Sequence, residues 1–388
     1  MAFIPAAEPL RGPRRFSIPL MVAAMLAVAA ALALPHPAWA ADEVFTVAGV
    51  AVDATAATAA AARERAIQDG QRRAFDRLLQ RLTPAAERPR LPRLSDTAVA
   101  DLVRDFEISG EKTSSVRYIA DLTVRFKPTE VRDILRQRGL AFAETPSKPV
   151  LVLPVYHADA AGAVLFEDNP WRAAWVGLAP GDGLVPFLLP RDDAADTAAI
   201  TPAQAEAGDA AALRAIAARY GAADVLVAVA RAHPDGTTGR EALDVSASRF
   251  AAAGTEQSVV SAFAPEANDA SAYAVYDRAA AAAVDRVEES WKQASLLRFG
   301  SQQEISVRVP LEGLDSLVTV MRGLDGLAPI QHVDLVHVAR DEAEVRLKFV
   351  GDTDQLALLL AQRDLALRRE ADGFVLRSTA TARAGGPQ

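Results

Sequence analysis

DAAALRAIAARYGAADVLVAV, residues 209–229, is the stretch on which the fold turns. It reads as a helix over Asp209–Arg219 that passes through Tyr220-Gly221 into an apolar strand at Asp224–Val229. Upstream, VLVLPV at 150–155 is another short strand of the buried type. Two strands apolar on both faces, with a helix between them, predict a parallel βαβ element in a three-layer build. A parallel pair needs a crossover, and a strand without a polar face needs cover on both sides. A further strand is expected at Leu184–Leu189, and an antiparallel extension near 240–250 and 256–264. A long alanine-rich helix over Asp269–Leu297 closes this part.

On the N-terminal side, Val44–Val52 is a strand apolar on both faces. Asp53 or Thr55 can cap the long helix that follows to about Leu82. Its apolar positions Ile67, Gly70, Ala74, Phe75, Leu78, Leu79 and Leu82 recur at three- and four-residue steps. Residues 102–110 and 115–126 read as a hairpin around Ser109-Gly110-Glu111, with a second helix from Pro128 to Gly139. On the C-terminal side, 304–310, 330–338 and 343–350 alternate as strands, 311–324 and 353–362 are helical, and a strand or hairpin spans 366–377. That order, βαββαβ, is the ferredoxin-like plan. The expected fold class is α/β and α+β in three small modules. These are 41–145, then 146–300 with the parallel βαβ element, then the ferredoxin-like 301–378. The small polar residues 379–388 are expected to be a disordered tail.

The residues before the first module have the order of a cleavable export signal. Arg11, Arg14 and Arg15 form a positive head, Ile18–Leu34 is apolar apart from Pro19, and Ala38-x-Ala40 supplies the small residues a signal peptidase needs. Cleavage is expected after Ala40, leaving a periplasmic chain that is not integral to the membrane. There is no cysteine, so stability must come from buried core and not from disulfides. The formal net charge of −8 argues against nucleic acid as a partner.

The run VAGVAVDATAATAAAARERAIQDGQRRAFDRLLQRLT, then VLVLPVY, NPWRAAW and ARYGAADVLVA, resembles an uncharacterised family of exported proteobacterial proteins catalogued as a domain of unknown function. More distantly, the first two modules are similar in element order to envelope α/β domains of flagellar outer-membrane ring components and of the periplasmic Tol translocation protein. Neither resemblance implies catalytic residues.

No Gly-x-Ser-x-Gly elbow, Walker loop or dinucleotide fingerprint is present. His332, Asp334 and His337 are close in sequence, but strand alternation puts His337 on the face opposite the other two, one ligand short of a catalytic zinc site. Asp182, Asp192, Asp193 and Asp196 could hold a hard cation, yet their spacing is not that of an EF-hand, and solvated carboxylates account for them. No metal and no cofactor are expected. Asn169-Pro170 opens a helix on which Trp171 and Trp175 lie one turn apart, so the two rings either anchor a partner or pack the helix on the sheet. Arg73, Arg77 and Arg81 repeat at four-residue steps, a basic stripe for an envelope protein or an anionic lipid surface, or a solvated helix face. These five residues are the expected partner-binding set. The function expected is that of a soluble, non-catalytic binding or assembly factor of the Gram-negative cell envelope. The alternative is a periplasmic hydrolase whose carboxylates come from separate modules.

Overall fold

The structure is a computed structural model that describes residues 43–158, 162–178, 181–251, 254–267, 269–297, 302–370 and 373–379. The expected signal segment, 1–40, and the tail beyond Thr379 lie outside those residues. Among the described residues no helix is long and apolar enough to cross a membrane. Helices and strands mix in three sheets, as the α/β and α+β class requires.

The first sheet is built from β1 (Thr46–Thr55), helix α1 (Ala59–Leu82), the short α2 (Asp96–Leu102), β2 (Val103–Thr113) and β3 (Arg117–Phe126), followed by α3 (Pro128–Gln137). Its order is β1-β3-β2, antiparallel throughout. Helix α1 starts later than the sequence suggests. Asp53 and Thr55 are still in β1, opposite Ile119 and Arg117, and the Asp53 carboxylate accepts two bonds from Arg117 at 2.8 and 2.5 Å. The cap is Thr58, whose hydroxyl accepts from the Ala61 amide at 3.2 Å. Gly70 lets the helix lie close on the sheet, because a Cβ there would overlap Leu122 and sit 2.7 Å from a Val52 methyl. A mid-helix glycine costs roughly 1 kcal/mol of propensity. The contact it allows with Val52 and Leu122, both buried, offsets that cost.

The second sheet carries the crossover. Its parts are β4 (Val150–Ala158), β5 (Ala163–Val164), α4 (Pro170–Gly177), β6 (Phe187–Leu188), α5 (Ala194–Ala199), α6 (Pro202–Ala207), α7 (Ala210–Tyr220), β7 (Asp224–Pro234), β8 (Glu241–Ala251), β9 (Gly254–Phe263) and α8 (Ala274–Ser295). β4 and β7 are parallel neighbours from Val150↔Asp224 to Ala158↔Ala232, while β8 and β9 extend the sheet antiparallel. The strand expected at 184–189 shrinks to β6, which pairs with Val150 and Leu151. Leu151, Leu153, Val155, Val225, Val227 and Val229 face one way, into a core with Leu213 and Ile216 of α7. Val150, Val152, Leu226, Ala228 and Ala230 face the other way, toward α4 and α8. That second core runs without a break into the core of the first sheet, through Leu78, Leu82, Phe142 and Trp291.

The third sheet comprises β10 (Gln302–Pro310), α9 (Leu314–Leu324), β11 (Ile330–Val338), β12 (Glu342–Val350), α10 (Thr353–Ala361), β13 (Leu365–Glu370) and β14 (Gly373–Ser378). The order is β11-β12-β10-β14-β13, with a separate core that includes Val307, Val345, Leu347, Phe349 and Leu359. This is the ferredoxin-like plan with one change at its end. The last element is a hairpin, so its second strand returns beside β10 and runs parallel to it at Val307↔Phe374.

Candidate functional site

Helix α4 is fixed at its N-terminus and along one face. Asn169 caps it, accepting from the Arg172 amide at 2.8 Å, and Pro170 occupies the first turn. Trp171 is fully buried and donates its indole N–H to the Ala228 carbonyl of β7 at 2.9 Å. Trp175 is also buried, its ring 5.7 Å from that of Trp171 and nearly perpendicular to it. The tryptophans therefore pack the helix on the sheet and present no face to a partner. The opposite side of the same helix does. Ala173 and Val176 are exposed, Val176 by 60%.

Facing them is the start of α8, where Tyr273 is 59% exposed. The two helix ends enclose an open groove of about 690 Å³, lined by Asp168, Arg172, Ala173, Val176, Tyr273 and Asp277 among others. Its size falls in the range of small-molecule and side-chain pockets. Under Tyr273 the tilted ring of Tyr276 is buried, at 6.3 Å between centroids. The Tyr276 hydroxyl donates to Glu241 at 2.9 Å and lies 3.0 Å from the Tyr156 hydroxyl. Its one proton goes to Glu241, so Tyr156 is the donor between the two phenols. Burial pushes the Tyr276 phenol up, with Tyr156 and Glu241 acting in the same direction. This chain is a rigid floor and not a proton source near neutral pH.

The aspartates read as a possible cation loop are consumed by arginines. Asp192 pairs with Arg172, whose side chain is only 14% exposed. Asp193 caps α5 and pairs with Arg219. Asp196 is fully buried and accepts from Arg219 Nε at 2.7 Å, from the Tyr220 hydroxyl at 2.5 Å and from the Asp192 amide at 3.1 Å. Burial alone would raise the Asp196 carboxyl; the bonds from Tyr220 and Arg219 outweigh it and hold the group below the usual carboxylate range. Burial leaves Asp192 above that range despite Arg172. Two buried polar atoms in this neighbourhood, Trp175 Nε1 and Asp192 Oδ1, have no hydrogen-bond partner among the described residues.

The arginine stripe splits. Arg73 and Arg77 are exposed, with Arg77 3.8 Å from the Asp182 carboxylate. Arg81 is interior. Its Nη1 donates to the carbonyls of Val44 and Thr46 at 2.5 and 2.7 Å, its Nε donates to the Asp182 carbonyl, and its Nη2 lies 3.1 Å from the Asp182 carboxylate. Four-residue steps on a helix of 3.6 residues per turn rotate by about 40° each, so two steps carry the third arginine about 80° toward the sheet. Beside it, buried Glu288 of α8 accepts from the amides of Leu184 and Val185, both at 2.9 Å. Buried Lys292 donates to the Gln80 carbonyl at 2.7 Å. Burial pushes Glu288 up, and pushes Lys292 and Arg81 down. These groups tie the first two sheets together.

The three residues of the histidine cluster depart from simple strand alternation. A bulge at Val336 puts His337 opposite Glu344, while Asp334 faces Arg346 and His332 faces Lys348. All three therefore share the outer face of the sheet, contrary to simple alternation. His332 pairs with Asp334 at 2.8 Å, and among the described residues no group of three His, Asp or Glu residues could hold a metal ion. Tyr273, Asp277, Asp168 and Val176 were missed from sequence. Tyr273 and Tyr276 stand three residues apart at the start of an alanine-rich helix, which was the available signal.

The geometry defines a three-sheet α/β and α+β chain with an open, partly aromatic groove on its middle sheet. Residues 45–144, which hold the first sheet and its helices, match a family model described as a domain of unknown function (DUF8605). No curated protein and no solved structure matches the chain.

Proposed function

We propose that this chain is an exported, non-catalytic binding or assembly factor of the Gram-negative cell envelope, working in the periplasm through contact with another envelope protein. The observation that carries the reading is the α4–α8 groove, where Tyr273 and Val176 stand in solvent over a floor that packing and hydrogen bonds keep rigid. Large apolar and aromatic side chains held exposed on a fixed surface are the signature of a contact site. The order of charge, apolar run and small residues in 1–40 supports export. The exposed Arg73 and Arg77 offer a second, weaker contact on the first sheet's helix. Osmotic-shock release with N-terminal sequencing tests the location, with Ala41 expected as the first residue. A photo-crosslinking residue at position 273 in intact cells tests the contact. Capture of an envelope protein there is expected, and protein that stays in the cytoplasm or crosslinks to nothing refutes the reading.

A further inference from the structure

We infer that the α4–α8 groove takes an arginine or lysine side chain presented by a segment of the partner protein. This inference rests on the contact reading above and gives its chemistry. The rim carries two exposed carboxylates, Asp168 ahead of α4 and Asp277 in the first turn of α8. Among the described residues neither has an ion-pair partner. Arg172, the cation that also lines the groove, is turned inward and neutralised by Asp192. The first turns of α4 and α8 both line the groove and contribute at most about half a positive charge each, against two full negative charges. The groove is therefore acidic by about one charge.

Capping does not account for both carboxylates. Asn169 already caps α4, so Asp168 is surplus to that helix end. In the same groove, the exposed Tyr273 ring offers a π face to a cation, a contact that is modest at an exposed site. Ala173 and Val176 give an apolar wall for the methylene stem of a long basic side chain. Acid, aromatic and aliphatic surfaces together match the ammonium or guanidinium head and the stem of lysine or arginine. They do not match an anion or a purely apolar chain.

Titration of the full chain with three short labelled peptides, alike except for a central Arg-Arg, Ala-Ala or Glu-Glu pair, tests this. The arginine peptide should bind roughly tenfold more tightly than either of the others, as expected for a contact built on charge pairs. Asp168→Asn combined with Asp277→Asn should weaken it about fivefold or more, and added salt should do the same. Tyr273→Ala should also weaken it, with unchanged circular dichroism in every variant. Equal binding of the alanine peptide, still lost in Tyr273→Ala, would leave a contact site but overturn its basic specificity. Agmatine binding as tightly as the peptide would make this a small-amine site and overturn the protein occupant. If no peptide binds and position 273 crosslinks to nothing in cells, the contact reading falls with it.

Discussion

Arg81, Glu288 and Lys292 are charged and buried, whereas Asp168, Tyr273 and Asp277 are polar and exposed. Both groups join elements far apart in sequence, and α8 contributes to each. In the buried group, backbone carbonyls, backbone amides and Asp182 hold each charge, as low dielectric demands. In the exposed group the carboxylates have no ion-pair partner among the described residues, which water tolerates at little cost. The saturated interior charge joins the first two sheets, and the exposed charge stays in solvent.

The sharpest way to break this contrast is at Gly183, where a Cβ would overlap the Glu288 carboxylate. Gly183→Ala should cost about 3–5 kcal/mol, as for stripping partners from a buried charge. Gly181, with open surroundings, is the control: its alanine variant should stay within about 0.5 kcal/mol. Equal urea midpoints for the two would show that the 182–185 segment is not seated on α8.

Within the arginine stripe, Arg81→Gln should cost about 3 kcal/mol, since it leaves several buried acceptors unpaired. Arg73→Gln and Arg77→Gln should each stay within about 0.5 kcal/mol. Three similar losses in denaturant melts would refute the split between one interior and two solvent-facing guanidiniums.

Asp196 sets a pH-dependent comparison. Its folded carboxyl lies below the ordinary 3.8, so the stability it supplies is present above that value and is lost as pH falls through the lower folded pKa. Asp196→Asn should therefore cost about 2 kcal/mol at neutral pH and progressively less in acid. A penalty that stays constant down to pH 2 would mean that packing, and not the charge, is what the asparagine disturbs.

The smallest difference lies between the two tryptophans. Trp171→Phe removes the bond to Ala228, while Trp175→Phe removes an indole N–H that has no partner among the described residues. The first should be worse by about 1 kcal/mol. Calorimetry that ranks them the other way would imply that Trp175 has a bond not accounted for among the described residues.

Much of this was legible in the sequence because the hydrophobic pattern alone carries it. The apolar runs at 150–155 and 224–229 have no polar face to misread, and they became the parallel pair β4 and β7. Features set by competition between local signals were harder to place. Asp53 and Thr55 were the caps expected for α1, but strand pairing with β3 takes both, and the cap falls to Thr58. One inserted residue, Val336, reversed the facing of His337. For α4 the tryptophans identified the right helix and the wrong side of it. Trp171 is seated by a bond to Ala228, more than fifty residues downstream, which no local pattern reveals. The groove needs two helix ends about one hundred residues apart, so only the fold could bring Asp168 and Tyr273 together.

The hairpin that completes the third sheet has a consequence in time. β10 is the first strand of that sheet to be made, and β14, which covers one of its two edges, is the last. Until β14 arrives, β10 presents a row of free amides and carbonyls on that side, the kind of surface that recruits strands from other chains. The third sheet thus stays adhesive through most of its own synthesis. A product that stopped before Leu365 would keep an open edge beside its central strand, and would be marked for aggregation or proteolysis by geometry alone.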